Sequence, residues 1–251
     1  MNQEAPHRQH HIDMLPGDIA PTVLVPGDPG RVELFAEHMD EAHKVAQKRE
    51  YLTYTGKKDG IAISCTSCGL GPSPTAIGTE ELIRIGAKNI IRMGTCGAIQ
   101  PFMKAGDIII ATGAVRGERA TEEFISIDYP AISSHFIVRA SIEACKRLGL
   151  TYHAGLVRTH DAFYLESPWA FGDYKARLQK WVDLGVLAVE NEAATMLVIA
   201  SMQGVRAGAI LLSSDPIFGG SENDPDLDEH KKNLVRVGIE TAKILHEMGL
   251  D

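Results

Sequence analysis

Short runs of apolar residues alternate along the chain with segments in which apolar residues recur every three or four positions. Each run ends in glycine or in a polar residue, which is typical of a buried strand followed by a turn. The segments between the runs have the spacing of helices that cover a sheet. This alternation predicts an α/β fold with a largely parallel sheet. The predicted strands lie at residues 22–25, 61–65, 89–98, 107–111, 153–159, 186–189 and 208–212.

Turn and cap residues mark where several of the predicted helices begin and end. Asp28 is placed to cap a helix after the first strand, and Pro29 is placed in the first turn of that helix. Gly86 and Gly149 each follow a segment of helical spacing and predict its C-terminal cap. The chain therefore carries local signals for the boundaries of its elements.

Two stretches have a weaker pattern. Around Tyr51, alternating residues indicate an exposed edge strand. The acidic stretch at residues 221–229 is interpreted as a mobile surface loop before the last helix. Neither stretch is expected to contribute to the core.

Length and composition favour a single domain over residues 1–251. A chain of 251 residues can bury one large core, and no repetitive or Pro/Ser-rich stretch divides it. The net charge of −8 argues against a nucleic acid or an anionic membrane as the main partner. No apolar stretch approaches the roughly 20 residues that span a bilayer, and the polar residues 1–4 are untypical of a signal peptide. We therefore expect a cytoplasmic protein.

The cysteines and the N-terminal histidines are candidates for metal or redox chemistry. Four cysteines in a chain of this length make no disulfide framework. Cys65 and Cys68 have the spacing of a redox pair or of half a zinc site, but the sequence contains nothing that completes it. We interpret both as buried, inert thiols and the run from His7 to Asp13 as solvated. The sequence therefore predicts no metal site.

The strand predicted at residues 89–98 carries the first candidate binding site. Arg92, Gly94, Thr95 and Gly97 lie toward its C-terminal end, where open α/β sheets bind ligands. Glycines let backbone N–H groups approach an anion, and a guanidinium supplies a fork of donors. These residues favour phosphate or a similar oxyanion. A structural arginine that leads into a glycine turn is the alternative, and this segment alone leaves both open.

A second feature that suits an anion follows the first predicted strand. Gly27 and Arg31 flank the start of a helix, where the dipole and the free N–H groups attract negative charge. The motif matches neither the dinucleotide-binding glycine fingerprint nor a P-loop. By itself it is a weak indication.

Acidic and aromatic residues follow three other predicted strands. Glu190 and Glu192 would be costly to bury without partners, so we interpret one of them as an acceptor for sugar hydroxyls. Asp215 is a candidate acid or acceptor, with a turn residue before the following proline as the alternative. Phe163 and Tyr164 either sandwich a flat ligand or pack in the core.

Taken together, several motifs in order resemble those of the trimeric and hexameric nucleoside phosphorylases, the family of bacterial-type purine nucleoside phosphorylase and uridine phosphorylase. The motifs span nearly the whole chain and lie at residues 25–31, 49–51, 92–100, 161–164 and 190–192. The resemblance implies a three-layer α/β/α fold of the phosphorylase/hydrolase type with a mixed, largely parallel central sheet.

The resemblance also assigns the candidate residues to the phosphate, the ribose and the base of one substrate complex. For phosphate it implies Gly27, Arg31, Arg92 and Thr95, and from the neighbouring subunit Arg49. For ribose it implies Glu190, Asn191 and Glu192, and from the neighbouring subunit His11 at the 5′-hydroxyl. For the base it implies Cys96, Gly97, Phe163 and Asp215. The active sites are then shared across a dimer interface within a homohexamer.

The family reaction uses inorganic phosphate as co-substrate and needs no cofactor. Phosphate attacks the anomeric carbon as the glycosidic bond breaks, which gives the free base and ribose 1-phosphate. Arg31, Arg49 and Arg92 would hold the nucleophile close to that carbon. Asp215 looks like the aspartate that stabilises the departing base at N7 in purine-specific relatives. Arg92 and Asp215 are therefore the expected catalytic residues.

Two departures from the family pattern bear on the substrate. Asn191 stands where the family commonly has a methionine beneath the ribose. Residues 165–169 lack the Gln and Arg with which uridine phosphorylases read uracil. We therefore favour a purine nucleoside, with uridine as the alternative, because residues 95–101 resemble uridine phosphorylase as closely. A hydrolytic nucleosidase and a nucleoside-binding protein without turnover are further alternatives.

Overall fold

The computed structural model describes residues 7–218 and 224–251, in which ten strands form one sheet and six α-helices pack against it. The strands are β1 Thr22–Pro26, β2 Glu41–Lys48, β3 Tyr51–Lys58, β4 Ile61–Thr66, β5 Asn89–Ala98, β6 Ile108–Gly117, β7 Ala131–Ile132, β8 Tyr152–His160, β9 Ala188–Glu190 and β10 Arg206–Pro216. The helices are α1 Pro29–Glu37, α2 Pro72–Arg84, α3 His135–Leu148, α4 Tyr174–Asp183, α5 Ala193–Met202 and α6 Leu227–Glu247, and Ala120–Glu123 form a 3-10 helix.

Part of the sheet closes on itself through β10. β10 pairs with β6 on one side and with β5 on the other, so β10, β6, β8, β9 and β5 form a closed ring. β1, β4, β3 and β2 continue outward from β5 in that order. The pairs among β4, β1, β5 and β10 are parallel. Their carboxyl ends therefore meet at one edge, where the anion-binding candidates were predicted.

Helices cover both faces of this sheet, as the sequence predicts. α1, α3 and α6 pack on one face against alternate residues of β5 such as Ile91 and Met93. α2 and α5 pack on the other face against Ile90. Inside the ring, small residues such as Ala98 and Ala188 pack with larger ones such as Ile109 and Leu211. The mixed α/β fold with a central sheet is confirmed.

The predicted caps at Asp28 and Gly149 are confirmed, whereas the C-cap of α2 is Ile85, one residue before the predicted Gly86. Asp28 Oδ1 accepts a hydrogen bond of 2.9 Å from the Gly30 N–H, and α1 begins at Pro29. Gly149 ends α3 in the left-handed conformation, with φ at +66°. These positions could be read from the sequence because each depends only on its neighbours in the chain.

Two predictions need correction. Tyr51 is buried, because β3 lies between β4 and β2 and the exposed edge is β2, a strand that sequence analysis missed. The loop predicted at residues 221–229 is wrong from Leu227 onward, where α6 begins. Its first three residues, like the polar residues 1–4, lie outside the described residues.

The four cysteines are free and buried. Burial raises the pKa of Cys68 to about 11 and that of Cys145 to about 12, so both thiols are protonated at neutral pH. This agrees with the interpretation of Cys65 and Cys68 as inert. In the described part of the chain, none of the helices combines the length and the apolar character needed to cross a bilayer.

Candidate active site

Arg92 on β5 is the centre of the site. Its side chain is buried, and it lies between two carboxylates. Its Nε donates a hydrogen bond of 3.0 Å to Glu190 Oε2, and its Nη2 donates to Glu192 Oε2. Within the described residues its Nη1 has no hydrogen-bond partner. Burial lowers the pKa of Arg92, but the charges of Glu192 and Glu190 outweigh burial and raise the pKa above its ordinary value. The side chain therefore stays protonated.

Glu190 is held by groups of the protein itself. Its Oε1 accepts from the Thr159 hydroxyl, and its Oε2 accepts from the backbone N–H groups of Glu192 and Ala193 at 2.8 Å each. Those two N–H groups stand at the start of α5, where free donors and the helix dipole favour an anion. All of these contacts are made by protein groups, so the ribose-binding role of Glu190 stays a prediction.

Glu192 and Asn191 occupy the same turn between β9 and α5. Glu192 Oε1 accepts a hydrogen bond of 2.6 Å from the Gly71 N–H, so both oxygens of this carboxylate have a protein donor. The Asn191 amide donates to the backbone carbonyl of His160. The polar residue that stands where the family has methionine is therefore buried with a partner and joins the turn to the end of β8.

Arg31 lies close enough to Arg92 for the two charges to interact. Its Nη1 donates a hydrogen bond of 2.7 Å to the carbonyl of Met93, the residue after Arg92. Burial, and then the positive charge of Arg92, lower the pKa of Arg31 below its ordinary value. Two guanidinium groups in such proximity attract an anion with more than one negative charge.

Two glycines make room for these guanidinium groups. A Cβ at Gly94 would lie 2.8 Å from Arg92 Nη2 and 2.8 Å from Leu211 Cδ2. A Cβ at Gly27 would lie 2.8 Å from the carbonyl oxygen of Gly69. The Gly69 N–H donates to the Gly27 carbonyl at 3.1 Å, which keeps the two loops in contact. Any larger residue at position 27 or 94 would displace the site.

The remaining residues of β5 point in alternate directions. Thr95 is partly exposed at the end of the strand. Cys96 is buried, and its thiol donates a hydrogen bond of 3.3 Å to the carbonyl of Leu212. Its side chain is therefore engaged, which leaves only its backbone for a ligand. Gly97 is partly exposed and lies on the same face of the strand as Thr95.

The residues predicted to bind the base lie at one edge of the ring. Asp215 pairs in register with Gly97 after a β-bulge in β10, and its side chain is exposed. Phe163 follows β8 with 56% of its surface exposed. Its ring meets Tyr164 edge to face, with 5.0 Å between the ring centroids. The core-packing alternative for this pair is wrong, because both rings are exposed.

Arg49 and His11 do not contact the Arg92 cluster in the described chain. Arg49 is exposed in the turn between β2 and β3, with φ at +53°. His11 is held by Glu81 of α2, whose Oε1 lies 2.8 Å from His11 Nδ1. These are the two residues that the family resemblance assigns to a neighbouring subunit. Within a single chain, both lie away from the Arg92 cluster.

Sequence reasoning missed the groups that orient the carboxylates. Thr159 fixes Glu190, and the Gly71 N–H fixes Glu192. Gly71 has a positive φ of +95° and immediately precedes Pro72, the first residue of α2. The Gly-Pro pair was therefore the sequence feature that could have indicated this turn. Nothing in the local pattern connects Thr159 with Glu190, because their contact depends on the pairing of β8 with β9.

Comparison with known proteins identifies the family of this chain. The model of the Phosphorylase superfamily matches residues 21–248. A uridine phosphorylase of Thermococcus kodakarensis is 40% identical over 245 residues, which cover 95% of this chain and 87% of the relative. A guanosine phosphorylase of Halorubrum lacusprofundi is 34% identical over 235 residues, with coverages of 94% and 95%. The crystal structure of purine nucleoside phosphorylase from Toxoplasma gondii in complex with immucillin-H matches with a TM-score of 0.89 at 25% identity and covers 98% of this chain and 99% of its own.

These matches extend over nearly the full chain, so the likeness includes the whole sheet and the elements that carry Arg31, Arg92, Glu190 and Glu192. The relatives differ in the base that their names specify. The chain belongs to the Phosphorylase superfamily and is a nucleoside phosphorylase, that is, a pentosyltransferase.

Proposed function

We propose that Arg92 and Arg31 bind inorganic phosphate as the nucleophile for cleavage of a nucleoside. The observation that carries this proposal is the buried Arg92 Nη1, which lacks a protein acceptor beside a second guanidinium. Glu190 and Glu192 hold the other two nitrogens of Arg92 and so fix its orientation. A phosphate oxygen at Nη1 would complete the hydrogen bonds of a buried donor, which is costly to leave unpaired.

The arrangement suits displacement at the anomeric carbon. A phosphate oxygen donates an electron pair to that carbon, and the pair of the C–N bond leaves with the base. Positive charge develops on the sugar, and the carboxylates of Glu190 and Glu192, which lie beside Arg92, would favour it. Each carboxylate oxygen has two lone pairs, so Glu192 accepts sugar hydroxyls in addition to its protein donors.

The base is proposed to be a purine, with Asp215 as its partner. Asp215 is exposed at the carboxyl end of β10, in register with Gly97, where a base would stand beyond the phosphate site. A carboxyl group there receives or shares the proton at N7 as the base departs. Uridine is the second candidate, because the relative from Thermococcus kodakarensis is a uridine phosphorylase.

The active form is proposed to be a homohexamer of single-domain chains, a trimer of dimers, in the cytoplasm. Arg49 is exposed, and His11 is partly exposed although Glu81 holds its ring, so both are accessible to a neighbouring chain. A neighbouring copy placed against the Arg92 cluster would supply an additional cation for phosphate and an imidazole for the 5′-hydroxyl. The proposed reaction itself uses no cofactor.

A substrate panel tests the proposal. The protein is incubated with inosine, guanosine, adenosine and uridine, with and without inorganic phosphate, and free base and pentose 1-phosphate are measured. We expect base release that depends on phosphate and is faster for at least one purine nucleoside than for uridine. Base release without phosphate would indicate a hydrolase, and binding without release would indicate a nucleoside-binding protein. Faster release from uridine would assign the second candidate.

A further inference from the structure

The two oxygens of the Glu190 carboxylate are occupied unequally. Oε2 accepts from three donors, which are the Arg92 Nε and the backbone N–H groups of Glu192 and Ala193. Among the described residues, Oε1 accepts from one donor, the Thr159 hydroxyl. A carboxylate oxygen has two lone pairs. Oε1 is therefore the oxygen of Glu190 that has room for a further donor.

Thr159 is itself held in a fixed direction. It is fully buried on β8, in register with Glu190 on β9. Its oxygen accepts a hydrogen bond of 2.8 Å from the N–H of Ala194 in the first turn of α5. A hydroxyl has a single proton, and an ionised carboxylate only accepts hydrogen bonds. The proton of Thr159 is therefore directed at Glu190, and the stiff β-branched side chain keeps it there.

Arg92 divides one edge of its guanidinium between two carboxylates. Its Nε donates to Glu190, and its Nη2 donates to Glu192. A guanidinium frequently gives two parallel N–H groups to the two oxygens of a single carboxylate. Glu190 does not accept in this way, because the Thr159 hydroxyl holds Oε1 and the N–H groups at the start of α5 hold Oε2. The divided edge leaves Nη1 of Arg92 without a partner among the described residues.

We propose that Thr159 is a positioning residue for the phosphate site, because its hydroxyl holds Glu190 Oε1 away from Arg92 and so keeps Arg92 Nη1 directed at the phosphate. The inference rests on the proposed function, since it requires phosphate to bind at Nη1. Without the hydroxyl, Oε1 loses its donor and turns toward the guanidinium, which then follows Glu190. Thr159 acts through Glu190 and Arg92, and its complete burial keeps it from the substrate.

The test separates the two substrates of the reaction. Thr159→Val has nearly the same shape as the wild-type residue and lacks the hydroxyl. We expect its KM for phosphate to rise about tenfold or more, which corresponds to the loss of one hydrogen bond to a charged group. The KM for the nucleoside should change less than about threefold, because Glu192 keeps its hydrogen bond from the Gly71 N–H. Calorimetry with inorganic phosphate alone should show the same rise in Kd without turnover.

Thr241→Val is the matched control for the loss of a buried hydroxyl. Thr241 is fully buried on α6, and its hydroxyl donates a hydrogen bond of 2.7 Å to the carbonyl of Val237. Val237 packs in the core on the face of the sheet opposite to α5. Both valine variants should unfold at a lower urea concentration than the wild type. Only Thr159→Val should change the KM for phosphate.

Two further variants at the same position isolate the hydroxyl and serve where the valine variant does not fold. Thr159→Ser keeps the hydroxyl and should hold the KM for phosphate within about threefold of wild type. Thr159→Cys keeps only a weak donor, so its KM for phosphate should lie between those of the serine variant and Thr159→Val.

Several results would overturn the proposal. Equal KM values for phosphate in Thr159→Ser, Thr159→Cys and Thr159→Val would mean that the hydroxyl has no role. A rise in the KM for the nucleoside alone would mean that Glu190 binds the sugar and does not act through Arg92. Base release by the wild type without phosphate would refute the proposed function. Phosphate-dependent release with an unchanged KM for phosphate in Thr159→Val would refute only the role of Thr159.

Discussion

Arg92 and Glu190 are joined between neighbouring strands by a hydrogen bond of 3.0 Å from Nε to Oε2, with both side chains almost fully buried. The attraction within a buried ion pair offsets the free-energy cost of desolvation only when the remaining donors and acceptors also have hydrogen-bond partners. Here the Thr159 hydroxyl and two backbone N–H groups satisfy Glu190. The pair therefore fixes the direction of the Arg92 guanidinium and leaves Nη1 for a ligand.

Removing Glu190 should destabilise the protein strongly. Glu190→Ala leaves Arg92 with a single carboxylate and removes the acceptor of three other donors, which should cost about 3–5 kcal/mol of unfolding free energy. The measurement is urea denaturation at neutral pH. Glu143→Ala removes an exposed partner of Arg147 and should cost less than about 1 kcal/mol. Equal costs for the two variants would mean that the buried cluster does not organise the fold.

Adding one methyl group at Gly94 should impair the use of phosphate. In Gly94→Ala the new Cβ would lie 2.8 Å from Arg92 Nη2 and 2.9 Å from its Cζ, so the guanidinium must move. We expect the KM for phosphate to rise by about tenfold or more, while the KM for nucleoside changes little. Gly60→Ala is the control for general destabilisation, because a Cβ there meets no atom within 4 Å but the positive φ of +80° makes alanine costly; it should lower stability and leave both KM values unchanged. An unchanged KM for phosphate would place the anion elsewhere.

Much of the fold follows from local pattern. The strand predicted at residues 89–98 coincides with β5, and the predicted caps at Asp28 and Gly149 are present. The edge strand β2 was missed, because most of its residues are exposed and supply no apolar alternation. The closure of the ring through β10 was not predicted either, since the pairing of distant strands leaves no periodic signal in either strand.

The residue types predict only part of the candidate site. Arginines, glycines and carboxylates at strand ends indicated an oxyanion and a sugar. Their pairing left no local signal, because Arg92 and Glu190 are 98 positions apart and Gly71 and Glu192 are 121 positions apart.

Stability in acid should depend on Glu81. Its carboxylate accepts hydrogen bonds from the backbone N–H groups of His11 and Ile12 at 2.9 and 2.8 Å. Burial raises the pKa of Glu81, but these hydrogen bonds and the His11 ring outweigh burial and hold it below the ordinary value. Because the pKa of Glu81 is lower in the folded state than in the unfolded state, its charge stabilises the fold fully at pH values above the unfolded pKa of about 4.3. This stabilisation is lost as the pH falls through the pKa of the folded state.

Glu81→Gln should therefore lower the unfolding free energy by about 1–3 kcal/mol at neutral pH. The difference from wild type should shrink as pH falls below about 4. Denaturant titrations at a series of pH values measure this difference. Glu80→Gln, a neighbour that pairs with Arg84 at the surface, should show a small difference at every pH. A difference for Glu81→Gln that stays constant into acid would mean that its charge makes no contribution.

Asp215 offers the sharpest distinction between a purine and a pyrimidine enzyme. Its exposed carboxyl group lies in register with Gly97, where it can meet a departing base, and Asp215→Asn keeps its size but removes its ability to transfer a proton. We expect kcat/KM for inosine to fall by about 100-fold or more, since general acid catalysis contributes about that much. Uridine turnover should fall far less, because uracil has no N7. Asp128→Asn, at an exposed loop residue, should leave both rates unchanged. Equal losses for inosine and uridine would mean that Asp215 shapes the end of β10 and does not act on the base.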